Sequence, residues 1–303
     1  MFDSKIVTIN QGLKIDFNKN IELSLKREDL IHPFVSGNKF RKLKYNIILA
    51  QKQQKNTLLT FGGAFSNHIA AVAAAGKEVG LKTISIIRGE ELYDKIDTNP
   101  TLSFAKSCGM TFKFISREAY RYKTSPNFIS KLKEEFGDFY LVPEGGTNDL
   151  AVKGCEEILT EEDSKFDYIC CAVGTGGTIS GLINASKSNQ KVLGFSSLKG
   201  DFLNKDISKF ARSTNWELIT DYHFGGYGKI NDSLIAFINK FKAETEIPLD
   251  PIYTGKMMFG IFDLIKKGYF KPNSKILAIH TGGLQGIDGM NAKLKKQNKP
   301  LII

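Results

Sequence analysis

Residues 167–178 read DYICCAVGTGGT, an apolar run that breaks into a cluster of glycines just ahead of a segment with helical spacing from Ile179. An apolar run bounded by turn residues reads as a buried strand. The same unit recurs along the chain. TLLTF (57–61) leads through GGAFSN into HIAAVAAAGKEVG, an Ala-rich helix that stops at Gly80. KTISIIRG (82–89) is a strand, and Asn99 to Cys108 reads as a helix closed by Gly109. TFKFIS (111–116) is another strand, and FISKLKEEFG (128–137) another helix with glycine as its stop. FYLVPEGG, KVLGFSS and KILAIHTGG continue the series as strands running into Gly-rich turns. Strands alternating with helices need crossover connections, which predicts an α/β fold with open, mostly parallel sheets flanked by helices. Ligands of such sheets bind beyond the carboxyl ends of the strands.

Composition narrows the class. The 303 residues are 42% hydrophobic and 24% charged, ordinary for a soluble globular chain of about two domains. No apolar run reaches the ~18 residues of a membrane span, and the opening MFDSKIVTINQGLKIDF has no apolar stretch ahead of a small-residue cleavage site. A cytoplasmic protein without membrane partners is therefore expected. The net charge of +10 raises a nucleic-acid-binding alternative. It is disfavoured because the cations are 36 Lys against 6 Arg, whereas base and bidentate phosphate recognition favour Arg. The densest group, Lys293, Lys295, Lys296 and Lys299, reads as solvated surface, with an anion patch as the competing reading. Cys108, Cys155, Cys170 and Cys171 form no CxxC pair, and the four histidines are too dispersed for a metal motif. No metal is expected.

Three strand ends carry unusual chemistry. After DYICCAV, the turn Gly174, Thr175, Gly176, Gly177, Thr178 opens a helix, offering backbone N–H groups and positive dipole potential to a phosphate. The dinucleotide fingerprint would need glycine at Ile179, and the P-loop pattern is absent. A single phosphate on a smaller cofactor fits better, with a tight structural turn as the alternative. Gly62 to His68 contains Ser66 and Asn67, which are natural N-caps and equally able to hold a carboxylate. His280 to Gly283 presents the Thr281 hydroxyl at a strand end. Upstream, Lys39 directly follows the small-residue turn Ser36–Gly37–Asn38 at the start of a helix. A catalytic lysine needs a depressed pKa, which a helix N-terminus near other cations favours; Lys42 lies one turn on, on the same face.

The motifs KREDL, SGNKFRKLKY, GGAFSNH, PEGGTN, AVGTGGT, DPIYTGK and HTGG occur in that order from Lys26 to Gly283. In this the chain resembles pyridoxal-phosphate enzymes of the tryptophan-synthase-β fold type (fold type II), and within them the branch of D-cysteine desulfhydrase and 1-aminocyclopropane-1-carboxylate (ACC) deaminase. The resemblance implies the cofactor pyridoxal 5'-phosphate, a small amino acid substrate and a homodimer. It implies a large cofactor-binding domain from residues 1–46 and 151–303, with a smaller α/β domain, 47–150, inserted. Lys39 matches the lysine that is joined to the cofactor and moves the proton at the substrate α-carbon. Asn67 matches the partner of the ring 3-hydroxyl, Gly174 to Thr178 the phosphate loop, and Lys42 a lysine close to that phosphate. Ser66, Asn67 and His68 match the turn that receives the substrate carboxylate. Tyr227 and Tyr253 match tyrosines on the substrate side of the ring, with Thr254 beside them, and Thr281 the residue facing the pyridine nitrogen.

The implied reaction is α,β-elimination to a 2-oxo acid and ammonia. A hydroxyl at Thr281 does not protonate the ring nitrogen as a carboxylic acid would, which favours rapid loss of a β-leaving group. In the ACC deaminases the YTGK, HTGG and SNH segments read YEGK, HLGG and SNQ. Thr254, Thr281 and His68 thus side with the desulfhydrase, which would release sulfide. ACC deamination is the alternative, followed by racemisation or β-replacement. Two departures bear on substrate choice: Phe65 stands where the family usually has Gln, and the stretch from Gly194 to Tyr227 is compressed.

Overall fold

The protein is described by a computed structural model over residues 1–2, 6–15, 17 and 20–303. In chain order the elements are β1 (Asn10–Gly12), β2 (Glu22–Lys26), α1 (Asn38–Lys52), β3 (Thr57–Gly62), α2 (Asn67–Val79), β4 (Lys82–Arg88), α3 (Pro100–Ser107), β5 (Thr111–Ile115), α4 (Pro126–Phe136) and β6 (Tyr140–Val142). They continue with α5 (Asp149–Glu156), β7 (Tyr168–Val173), α6 (Gly177–Ala185), β8 (Lys191–Ser196), α7 (Leu203–Ser208), β9 (Trp216–Ile219), α8 (Asp232–Thr245), α9 (Thr254–Lys266), β10 (Lys275–Ile279) and α10 (Gly286–Lys296).

Two sheets result. One has the order β1-β2-β10-β7-β8-β9, parallel except for the antiparallel β1–β2 pair; the other is β5-β4-β3-β6, all parallel. The first draws its strands from both ends of the chain, because β10 inserts between β2 and β7. The second uses only strands between Thr57 and Val142.

The continuous apolar character of β7 has a simple cause. Cys170 and Ala172 point into the core under α8, α9 and α10, while Ile169, Cys171 and Val173 point into the core under α6 and α7. Strand β10 does the same, with Ile276 and Ala278 on one face and Leu277 and Ile279 on the other. A strand covered on both faces shows no polar alternation. The smaller sheet repeats the arrangement, Leu58 facing one core and Leu59 and Phe61 another.

The alternation of strands and helices between Thr57 and Phe136 follows the sequence closely: Gly80 and Gly137 end α2 and α4, and Asn99 caps α3 by accepting from the Leu102 N–H. Helix α6 starts at Gly177, two residues before the expected Ile179, because glycines can turn directly into the helix. Two buried ion pairs tie the chain's beginning to the rest. Lys26 on β2 meets Asp163 at 2.8 Å, and Glu28 meets Arg41 on α1 at 2.8 Å through a two-nitrogen fork. Since β2, β10 and β7 run parallel and in register, their carboxyl ends come out together, below the start of α1.

Candidate active site

Helix α1 starts from Gly37, whose φ of 58° and tight surroundings exclude any other residue: a Cβ there would lie 2.0 Å from the Thr281 carbonyl oxygen. The turn after β10 is thereby pressed against the first turn of α1. Lys39, the second residue of the helix, projects into a cleft lined by Asn38, Asn67, Thr281, Gly283 and Gln285. Its Nζ donates to Asn38 Oδ1 at 3.1 Å. Desolvation, followed by the nearby Lys42 charge, lowers the Lys39 pKa from 10.5 to about 7, so a large share of neutral amine is present at neutral pH.

One turn on, Lys42 is almost completely buried, and burial lowers its pKa as well. Its Nζ donates to the Gly145 carbonyl at 3.0 Å, to Thr147 Oγ1 at 3.0 Å and to Thr175 Oγ1 at 3.2 Å, and among the described residues no carboxylate pairs with it. The start of α6 is at its side. Gly176 takes the left-handed conformation at the N-cap and no side chain caps the helix, while Asn38 Nδ2 donates to Thr178 Oγ1 at 2.8 Å and joins the two helix starts. A Cβ on Gly177 would stand 2.9 Å from Thr147 Oγ1 and 3.2 Å from Lys42 Nζ, and one on Gly174 would stand 3.1 Å from the Tyr253 ring. A buried cation without a counter-ion, three threonine hydroxyls, free helix N–H groups and glycines that keep the space open make a donor set for a phosphate monoester dianion. Such a donor set fits the phosphate of pyridoxal phosphate, and the Lys39 amine lies near enough to feel the Lys42 charge.

Asn67 begins α2 and bridges to the other sheet. Its Nδ2 points at the Gly283 carbonyl, 3.5 Å away, and its own carbonyl accepts from Gln285 Nε2 at 3.4 Å. Ser66 holds the N-cap position, but its hydroxyl makes no cap bond, contrary to the capping alternative. Tyr227 and Tyr253 come together edge-on with ring centroids 6.2 Å apart, and burial pushes both phenols up.

Two expected contacts lie elsewhere. The His68 side chain turns beneath the smaller sheet and is 2% exposed. Thr60 Oγ1 donates to the Val142 carbonyl, so it accepts from His68 Nε2 at 2.8 Å; Nδ1 is then left without a partner. Burial, with the charges of Lys39 and Lys42, holds the imidazole well below its ordinary pKa, hence neutral. His68 is a support of the turn more than a surface of it. Thr254 is fully buried, and its hydroxyl donates to Asp250 Oδ1 at 2.7 Å while accepting from the Asp250 N–H. It is the first residue of α9, and its side chain turns back onto the carboxylate that caps this helix.

Sequence reasoning missed several supports. Asp250 accepts from the N–H groups of Ile252, Tyr253 and Thr254 and so sets the direction of Tyr253. His280 is completely buried; it donates from Nε2 to the Pro248 carbonyl and accepts from the Gly282 N–H, which shapes the turn carrying Thr281. Both open motifs quoted above, DPIYTGK and HTGG, but they act mainly on backbone groups, and residue type alone does not announce that role. Among the described residues no cluster of His, Cys, Asp or Glu is arranged to hold a metal, and no helix is long and apolar enough to cross a membrane.

Comparison with known proteins bears on the family and the fold. The family model described as pyridoxal-phosphate dependent enzyme matches residues 12–282. A protein of Pyrococcus horikoshii provisionally named as a 1-aminocyclopropane-1-carboxylate deaminase is 33% identical over 289 residues, covering 88% of this chain and 85% of its own. The bifunctional D-cysteine desulfhydrase/1-aminocyclopropane-1-carboxylate deaminase, mitochondrial, of Arabidopsis thaliana is 32% identical over 297 residues, covering 88% and 73%. A crystal structure of an ACC deaminase homologue superposes with a TM-score of 0.81 at 30% identity, covering 95% of this chain and 93% of that one. The O-acetylserine dependent cystathionine beta-synthase of Helicobacter pylori shares the fold, with a TM-score of 0.67 at 17% identity over 94% and 96%. With a family model matching most of its length, relatives above 30% identity and the tryptophan-synthase-β-like fold, this chain belongs to the family of pyridoxal-phosphate dependent enzymes.

Proposed function

We propose that the protein deaminates a small amino acid by α,β-elimination, with D-cysteine as the preferred substrate and a 2-oxo acid, ammonia and sulfide as products. The observation that carries this reading is the pairing of Lys39, held near pKa 7, with the anion cradle around Lys42. When bound, pyridoxal phosphate supplies the electron sink that stabilises negative charge at the substrate α-carbon. The chain's own residues do the rest. Lys42, Thr175 and the start of α6 bind the phosphate, and Asn67 and Thr281 orient the ring. Ser66 and Asn67 bind the substrate carboxylate, and Lys39 Nζ takes the proton from the α-carbon. Tyr227 and Tyr253 close the substrate side and donate a proton to the departing group.

ACC deamination is the second reading, favoured by the names of the relatives. Position 254 argues for the first. Where the deaminase pattern has a carboxylate, the Thr254 hydroxyl is spent on Asp250, and the Asp250 oxygens are spent on backbone N–H groups. We also propose that residues 47–150 act as a small domain that closes on the large one, that the protein is a homodimer, and that it works in the cytoplasm; the motif order and the family resemblance support these points.

The test is direct. The loaded protein is reduced with borohydride and digested, and the cofactor adduct is expected on the Lys39 peptide; an adduct on another lysine refutes the site. D-cysteine, L-cysteine, D-serine and ACC are then assayed separately for 2-oxo acid, sulfide and inverted amino acid. Sulfide from D-cysteine in excess over the other activities is expected, whereas turnover of ACC alone would make the protein a deaminase.

A further inference from the structure

Lys256, the last residue of the DPIYTGK motif, takes no part in the mechanism above, yet it is among the most deeply buried charges in the chain. Its side chain is 1% exposed, and its Nζ donates to the backbone carbonyls of His223 and Gly226, each at 2.9 Å. Among the described residues no carboxylate lies within ion-pair distance. Asp250, the acid whose charge reaches it, is saturated by backbone N–H groups and Thr254. Desolvation pulls the Lys256 pKa down to about 8. An uncompensated buried charge is destabilising, so its presence calls for a use.

The two carbonyls belong to an uncommon turn. Phe224, Gly225, Gly226 and Gly228 all have positive φ, at 53°, 90°, 110° and 66°. Such a run is entropically costly to hold, and the turn's own bonds are few: Gly226 N to His223 O, Lys229 N to Gly226 O, and Gly225 N to His223 Nδ1. Tyr227 sits inside this run and faces Tyr253, which directly precedes the helix carrying Lys256. A single ammonium therefore joins the helix that follows one tyrosine to the turn that holds the other. Charge-assisted bonds of this kind are roughly twice as strong as neutral ones.

We infer that Lys256 is a positioning residue, pinning the 223–228 turn so that Tyr227 is fixed against Tyr253 on the substrate side of the cleft. The inference rests on the reading of the two tyrosines given above. It is tested on the loaded enzyme with Lys256→Met, which removes the donors at similar length, and Lys256→Arg, which keeps them; Tyr227→Phe serves as reference. In Lys256→Met, amide hydrogen exchange over 224–228 should quicken about tenfold or more, and kcat/KM for D-cysteine should fall on the order of tenfold to a hundredfold. Cofactor content should be unchanged, and the melting midpoint unchanged or higher, since an unpaired buried charge is gone. Lys256→Arg should recover part of the protection. Unchanged exchange at 224–228 in Lys256→Met overturns the inference, and so does faster exchange spread over the whole of α9 with a lowered melting midpoint, which would make the lysine a general support of the fold. Wild-type turnover by Tyr227→Phe refutes the assignment of the tyrosines instead, and the exchange measurement still decides whether Lys256 pins the turn.

Discussion

A lysine pKa near 7 has a kinetic consequence at Lys39. Only the neutral amine attacks an aldehyde, and its share falls about tenfold per pH unit below the pKa. The rate at which the cofactor-free protein captures pyridoxal phosphate should therefore rise with pH and reach half its plateau near pH 7, given the depressed value. Stopped-flow absorbance from pH 5.5 to 9 checks this; a midpoint near 10 would mean that Lys39 is solvated, unlike the cleft described. The places of Lys39 at the start of α1 and of the 174–178 glycines between β7 and α6 were legible because their signals are local: a lysine after a small-residue turn, and glycines between strand and helix. The side-chain directions of His68 and Thr254 were not legible, for the opposite reason. Adjacency to a functional residue says nothing about side-chain direction, and both turn away, toward Thr60 and Asp250. Lys256 was read only as part of a motif, since its partners are carbonyls some thirty residues away.

Helix starts do most of the positioning, and glycines decide how near those helices come. Helix α5 lies so close to α1 that a Cβ on Gly154 would stand 1.9 Å from the Arg41 carbonyl oxygen. Backbone cannot yield as a flexible side chain can, and Arg41 is fixed by its fork to Glu28. Gly154→Ala should destabilise the protein by about 1–3 kcal/mol, with residual cofactor affinity in whatever folds. Gly177→Ala is the contrasting case. Its Cβ would meet the ends of the Thr147 and Lys42 side chains, which can shift, so the cofactor-free protein should melt within about 1 kcal/mol of wild type. The methyl would occupy the phosphate cradle, and affinity for pyridoxal phosphate should fall about tenfold or more. Thermal melts and cofactor titrations separate the two effects; equal loss of stability would show that both glycines serve packing alone. Regular βα units such as β4–α3 and β5–α4 were readable because strand, cap and stop all agree locally. The place of β10 between β2 and β7 was not, since pairing between the two ends of a chain leaves no local trace.

Among the described residues, Lys39, Lys42 and Lys256 have no carboxylate within ion-pair distance, and their lowered pKa values together give stability a pH dependence. In the folded, cofactor-free chain Lys39 titrates at about 7 and Lys256 at about 8, with Lys42 also below the ordinary 10.5. In the unfolded chain all three keep their protons to that ordinary value. Between pH 7 and 9 these lysines therefore make the unfolded state bind more protons, and stability rises with pH. His68, held well below 6.5, acts in the same direction on the acid side. The buried thiols of Cys155, Cys170 and Cys171, raised by desolvation, oppose the trend from about pH 9, and the raised phenols of Tyr227 and Tyr253 add to that above pH 10. The melting temperature of the cofactor-free protein should climb by a few degrees from pH 6 to pH 9, unlike that of a chain limited by exposed charges. Inorganic phosphate acts against this slope. By binding beside Lys42 it favours the ammonium, so millimolar phosphate should raise the melting temperature most at pH 6 to 7, where both partners carry charge, and least at pH 9. A melting temperature that falls from pH 6 to 9, or a phosphate effect equal at both ends and matched by sulfate-free sodium chloride, would show that the three lysines are hydrated and that no anion cradle is built around Lys42. On the proposed reading, part of the basic charge has a specific use: the cofactor-free protein holds Lys39 and Lys42 close together against desolvation and mutual repulsion, which an anion bound beside Lys42 would relieve.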